Sequence, residues 1–197
     1  SNTFIDLMRP QDVAGVVAFD NGVNLLQDFT GDHDALKAQI GTLTPGDCTS
    51  WYEAIYFSSD LMAARQGRKS MILLSDGQDC REDFMLHDIL GYGSYHSFEE
   101  AVIEAQKAET PVYTIALGQQ PAEQLGVEGY DEGRLTRMAA ETGGEYYHAP
   151  TADQLAELYR ALAQEAQHEY VITYHSPRPT YDGTRRNIQV TITAGSS

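Results

Sequence analysis

Thr49 and Asp76 are the side chains whose type and placement point to ligand chemistry in this sequence. Thr49 follows the turn Pro45-Gly46-Asp47 and opens a helical pattern, while Asp76 closes the apolar run MILLSDG. A hydroxyl and a carboxylate at one edge are hard oxygen donors of the kind Mg²⁺ takes at about 2.0–2.1 Å, with waters completing an octahedral shell. Two such donors alone make a weak site. Each also has an ordinary role to weigh against that reading: a threonine commonly caps a helix, and an aspartate ahead of Gly77 commonly shapes a turn.

Two cysteines flank the same pair, Cys48 adjoining Thr49 and Cys80 lying four residues beyond Asp76. Their loops can bring the Cα atoms within the ~7 Å that a disulfide tolerates, and an exported chain permits the bond; two free thiols are the alternative. The histidines do not cluster at ligand spacing. His87 and His96 share one long loop, and His33, His148, His168 and His175 are scattered, so surface or capping roles are expected of them. The patterns G-x-G-x-x-G, G-x-x-x-x-G-K-[ST], G-x-S-x-G, H-E-x-x-H and C-x-x-C are absent, which removes the best sequence support for the usual nucleotide-binding, nucleophile-elbow, zinc-protease and dithiol readings.

The elements that must carry these residues follow from periodicity. VAGVVAFD (13–20) is a short apolar run expected of a strand buried on both faces; Asn21-Gly22 is a hairpin turn, and 23–29 supplies the returning strand. Helical spacing covers 32–43 and 50–66, the latter with Trp51, Ile55, Ser59 and Met62 on one face and Tyr52, Tyr56 and Phe57 beside it. KSMILLS (69–75) and PVYTIALG (111–118) read as further buried strands, and a short one follows at 145–148. Helices are expected after the capping boxes Ser97-x-x-Glu100 and Thr151-x-x-Gln154, and between Asp131 and Thr142. Strands alternating with helices predict an α/β, Rossmann-like, doubly wound and mainly parallel sheet flanked by helices, with an antiparallel edge hairpin and a C-terminal antiparallel strand pair (170–174 and 187–193). Residues 1–169 form the main domain and 170–197 a β-strand extension on this reading. Ligands then belong at the carboxyl ends of the strands, where Thr49 and Asp76 would both lie.

The 78–96 connection is long for a compact domain, which marks it as functional or mobile. Its acids Asp79, Glu82 and Asp83 read as a solvated loop, against the alternatives of a second cation site or a surface that repels an acidic partner. Its apolar Phe84, Met85, Ile89 and Leu90 are the better candidates for contact with a partner, against a simpler role covering the core.

Composition narrows the partners. The 197 residues are 42% hydrophobic and 21% charged, enough for one substantial core without a metal or cross-link. With 13 basic against 29 acidic residues the net charge is −16, which opposes nucleic acid and anionic membranes and favours divalent cations and basic protein surfaces. No stretch approaches the ~18 apolar residues of a spanning helix, and no signal-peptide pattern opens the sequence. Ser1-Asn2 reads as the remnant of a cleaved tag, and 3–8 as the last turns of an amphipathic helix, so a fragment of a longer chain is expected.

The phrases RPQDVAGVVAFDNGVNLLQDFTGD, CTSWYEAI, GRKSMILLSDGQD, TPVYTIALG, MAAETGGEYYHAP, HEYVITYHSP and RRNIQVTI, in this order, resemble the von Willebrand factor type A domains, and within them the acidobacterial VWFA-related group. The resemblance implies a metal-ion-dependent adhesion site built from a D-x-S-x-S loop after the first strand, a Thr and an Asp. Thr49 and Asp76 match the last two. The first strand and its loop have no counterpart here, so metal binding by this sequence is expected to be poor or absent, and a slot is expected between strands 13–20 and 69–76. That slot would close directly, take the C-terminal strand, or take a strand of a second chain, giving a dimer; filling is preferred because buried strands must satisfy their backbone groups.

What the resemblance implies is a non-enzymatic protein-binding module of a secreted or cell-envelope protein. In its intact form Mg²⁺, or Mn²⁺ or Ca²⁺, would engage a carboxylate of a protein partner, with rim loops 44–50, 76–96 and 119–131 choosing that partner. A metal-assisted hydrolase or phosphate-handling enzyme, and a metal-free structural module, are the alternatives. The first of these lacks a visible nucleophile or general base.

Overall fold

The computed structural model describes residues 2–44, 46, 48–83, 85–117 and 131–168. The chain separates into two units, Ser1–Gln167 and His168–Ser197. The expected C-terminal strand pair lies outside the described residues, as do the 119–130 part of the third rim loop and Phe84.

After a short helix α1 (Asn2–Asp6), strands β1 (Ala14–Phe19) and β2 (Val23–Thr30) pair antiparallel across the Asn21-Gly22 turn. Their register slips twice, between the Ala14, Val16 and Val17 pairings, where Gly15 lies so close to the strand opposite that a Cβ would stand 3.1 Å from the Gln27 carbonyl oxygen. Helix α2 (His33–Ile40) packs against this hairpin and buries Leu36; its N-cap Asp32 accepts the amides of Asp34 and Ala35. Every residue of β1 retains some exposure, contrary to the expectation of a strand buried on both faces. The reason is topological. Among the described residues β1 pairs with β2 alone, so the hairpin is a sheet of its own and is covered only in part.

The second sheet has the parallel order β3-β4-β5, from Met71–Ser75, Val112–Ala116 and Tyr146–His148. Alternation along β3 sorts its side chains between two cores. Met71 and Leu73 face a layer made by α3 (Trp51–Ala63), α4 (Phe98–Lys107) and α5 (Glu132–Thr142), where Trp51, Tyr52, Phe98, Leu135 and Met138 are fully or almost fully buried. Ile72 and Leu74 face the opposite layer, where Tyr159 and Leu162 of α6 (Ala152–His168) pack with Phe4 of α1. Trp51, Tyr52 and Phe98 meet edge-to-face at centroid distances of 4.5–5.9 Å. Truncating Trp51 to alanine there costs about 3–5 kcal/mol. Helices thus cover both faces of a parallel sheet, the doubly wound arrangement read from the sequence. Direct closure of β1 onto β3 does not occur, because the two strands sit in separate sheets.

A candidate cation-binding rim

Asp76 directly follows β3, and Thr49 stands two residues before α3, so the sheet's carboxyl edge and a helix start must be joined for the pair to act together. They are joined at several points. The Cys80 amide donates to the Thr49 carbonyl oxygen at 2.9 Å, and the Thr49 amide donates to Cys80 Sγ at 3.2 Å. Trp51 Nε1–H donates to the Gly77 carbonyl oxygen at 3.1 Å, and Cys48 and Cys80 form a disulfide with Cα atoms 6.0 Å apart. Of the two thiol readings open in the sequence, the bridge is the one present. Gly77 is required at this junction: its φ of +77° lies in the left-handed region, and a Cβ would meet the Asp131 carbonyl oxygen at 2.7 Å.

Asp76 is only partly exposed. Its Oδ1 accepts the Gln78 amide at 3.1 Å, the local turn bond anticipated for an aspartate ahead of glycine, and its carbonyl oxygen accepts the Asp131 amide at 2.6 Å. Burial pushes the Asp76 carboxyl above the usual carboxylate range, against the opposing hydrogen bonds from Gln78 and Ser75. None of the ion pairs among the described residues includes Asp76. The carboxylate is therefore partly desolvated, with no ion-pair partner among the described residues.

The expected competing role of Thr49 as helix N-cap falls instead to Ser50, and Ser50 does not perform it through its side chain. Two groups from the long loop do. Asp79 Oδ2 accepts the Tyr52 amide at 3.1 Å, and Ser94 Oγ accepts the Glu53 amide at 2.8 Å, so the first turn of α3 is capped from outside its own segment. The buried Ser50 hydroxyl is left without a hydrogen-bond partner among the described residues.

Asp79 is the residue that sequence reasoning misplaced. It was expected in a solvated acidic loop; it is buried, and its carboxylate also accepts the amides of Arg81 and Ser94 and the Ser94 hydroxyl. Its partners lie up to 27 residues away, so no local pattern could signal the role. Glu53 closes the far end of the loop, with Oε2 accepting the amides of Tyr95 and His96 and lying 2.9 Å from His96 Nδ1. The His96 ring stacks on Tyr56 at 3.6 Å. His87 Nδ1 lies 2.9 Å from the Tyr92 carbonyl oxygen, so both loop histidines have structural partners.

A second network flanks the rim. Arg134 of α5 donates to the Tyr52 hydroxyl at 2.6 Å and pairs with Glu82 at 3.1 Å and Asp131 at 3.4 Å, while Tyr52 donates to Glu82 at 3.2 Å. Burial pushes the Tyr52 hydroxyl pKa strongly upward, so it stays a neutral donor.

The donors present suit a hard cation in kind, an oxygen from Thr49 and a carboxylate from Asp76, yet fall short in number. No group of three or more His, Cys, Asp or Glu able to hold a metal ion occurs among the described residues. Water and a partner's oxygen would have to complete the shell.

Comparison with known proteins bears on this arrangement. The sequence profile of the von Willebrand factor type A domain matches residues 1–78. BatB from Bacteroides thetaiotaomicron superposes with a TM-score of 0.62 at 16% identity, over 84% of this chain and 82% of that one. The von Willebrand factor domain of the type V pili tip protein Mfa5 from Porphyromonas gingivalis gives 0.59 at 16% identity, over 87% and 88%. The fold is that of a von Willebrand factor type A domain. The pilus adhesin SpaC from Lactobacillus rhamnosus GG shares this fold with a TM-score of 0.58 at 15% identity, over 83% of the present chain but 26% of the adhesin. No curated protein sequence matches.

Proposed function

We propose that this von Willebrand type A domain is a non-enzymatic protein-binding module of a secreted or cell-envelope protein, in which Thr49 and Asp76 contribute to a divalent-cation site that receives a carboxylate of a protein partner. One observation carries the reading: Asp76 is kept partly desolvated at the strand-end rim, with no ion-pair partner among the described residues. A carboxylate so placed gains most from a cation. Bound there, Mg²⁺ or Mn²⁺ supplies open coordination positions that draw an acidic group toward a chain whose net charge is −16. The protein's own share of the work is positional. The Cys48–Cys80 bridge and the Trp51–Gly77 bond hold the two segments together, and the Asp79 and Ser94 caps fix the helix that follows Thr49.

Pilus and adhesin proteins among the similar folds support the partner class, and a disulfide suits an oxidising compartment. Calorimetric titration with Mn²⁺ tests the site. The reading expects weak binding, in the millimolar range, that Asp76→Asn abolishes and Thr49→Ala reduces; heats unchanged in both variants contradict it.

A further inference from the structure

The loop between Asp79 and His96 inverts the usual placement of polar and apolar groups. Its polar Asp79 and Ser94 are buried at 4% and 0% exposure, while Met85, Ile89, Leu90 and Tyr95 stand 56%, 57%, 53% and 79% exposed. An unanchored loop would let such side chains collapse onto the core, whereas this one is held away from it. Arg81 donates to the carbonyl oxygens of Ser94 at 2.9 Å and Tyr95 at 2.6 Å, Asp79 grips Ser94, Glu53 grips Tyr95 and His96, and the disulfide fixes Cys80. Within the excursion a single π-helical turn, Met85–Ile89, sets Met85 and Ile89 one turn apart. The fold thus spends its buried polar bonds on presenting apolar side chains to solvent, a pre-organised patch of the kind that marks interaction sites.

Charge selects the occupant. Of the charges on the loop, Arg81 is committed to carbonyl oxygens, Asp79 is buried and Glu82 pairs with Arg134. Asp83 and Asp88 are exposed on the excursion itself. An apolar centre with an acidic rim repels an anionic lipid surface and a second copy of this acidic chain, and complements a basic one.

We propose that the exposed face of residues 85–95 is a metal-independent docking surface for a protein segment whose apolar side chains are flanked by lysine or arginine. It rests on the reading of a protein-binding module but not on the cation, so it is a second contact beside the rim.

The test uses the whole chain as bait for a displayed library of random peptides, selected in parallel with EDTA and with Mn²⁺. Basic, apolar-anchored peptides are expected to be enriched under both conditions. A synthetic copy of the leading peptide, measured by fluorescence anisotropy, is expected to bind at least tenfold more weakly to Ile89→Asp and to Tyr95→Ala, and more weakly as salt rises. Both positions are exposed, so unchanged thermal melts confirm that the fold is retained. Failure to enrich any peptide, or equal binding to the parent and both variants, overturns the proposal. So does concentration-dependent self-association that Ile89→Asp abolishes, since the occupant would then be a second copy. Enrichment of acidic peptides alone, and only with Mn²⁺, overturns it while leaving the cation site standing.

Discussion

Ser94 donates its hydroxyl to Asp79 Oδ2 at 2.6 Å while its amide donates to Asp79 Oδ1 at 3.1 Å, so one buried carboxylate clasps a residue fifteen positions further on. That clasp holds the excursion shut at its neck. The same carboxylate caps α3 through the Tyr52 amide, which couples the loop to the helix that follows Thr49.

Replacing Asp79 with alanine therefore leaves three buried or part-buried amides without their acceptor and removes a charged hydrogen-bonding centre. A loss of about 3 kcal/mol is expected in urea denaturation, together with faster amide exchange through residues 80–95. A loss below ~1 kcal/mol contradicts the capping role.

Ser50 makes the opposite prediction. An N-cap serine normally costs about 1 kcal/mol when changed to alanine. Here the cap bonds come from Asp79 and Ser94, and the buried Ser50 hydroxyl lacks a partner among the described residues. Ser50→Ala is expected to raise stability by about 1 kcal/mol, since an unsatisfied hydroxyl is removed. An ordinary N-cap penalty in the same denaturation assay counts against this geometry.

Asp76 gives a pH dependence. Its carboxyl pKa is raised by burial, so the folded state holds the proton more tightly than the unfolded chain does. The stability associated with that proton is fully present below the unfolded value near 3.8 and is lost as pH rises through the folded value. Asp76→Asn removes the ionisation and can still accept from Gln78. The variant is expected to melt higher than the parent near neutral pH, and the gap is expected to close toward about pH 4. A variant that melts lower at neutral pH shows that the charge is compensated.

The Cys48–Cys80 bridge spans a separation of 32 residues. On the loop-entropy model, changing both cysteines to serine costs about 3–4 kcal/mol. Proteolysis is expected to begin in the released 80–95 segment. Cleavage elsewhere, with that segment protected, shows that the polar clasps suffice without the bridge.

The sequence was most legible where its signals were local. Asn21-Gly22 marked the hairpin, Ser97-x-x-Glu100 formed the capping box that starts α4, and the apolar runs gave β3 and β4 within two residues at each end. Strand-end position also placed Thr49 and Asp76 on segments that the fold does join. What escaped were the bonds between distant residues. Asp79 read as one of several loop acids because its acceptor role depends on Tyr52 and Ser94, and Arg134 drew no notice because Tyr52 and Glu82 reach it only through the tertiary fold. β1 read as fully buried because an apolar run reports the side chains and not the sheet that eventually covers them; it lies in a separate hairpin sheet.

On the proposed function, Asp76 and the Thr49 segment receive one divalent ion at the strand-end rim. Paramagnetic line broadening by Mn²⁺ in amide-resolved NMR spectra tests it most directly. Amides of residues 49–52 and 76–80 are expected to broaden together, at lower Mn²⁺ than those of the exposed acids Asp83 and Asp88, and Asp76→Asn is expected to remove this effect. Broadening confined to the exposed loop acids, or broadening at 76–80 that survives Asp76→Asn, contradicts it.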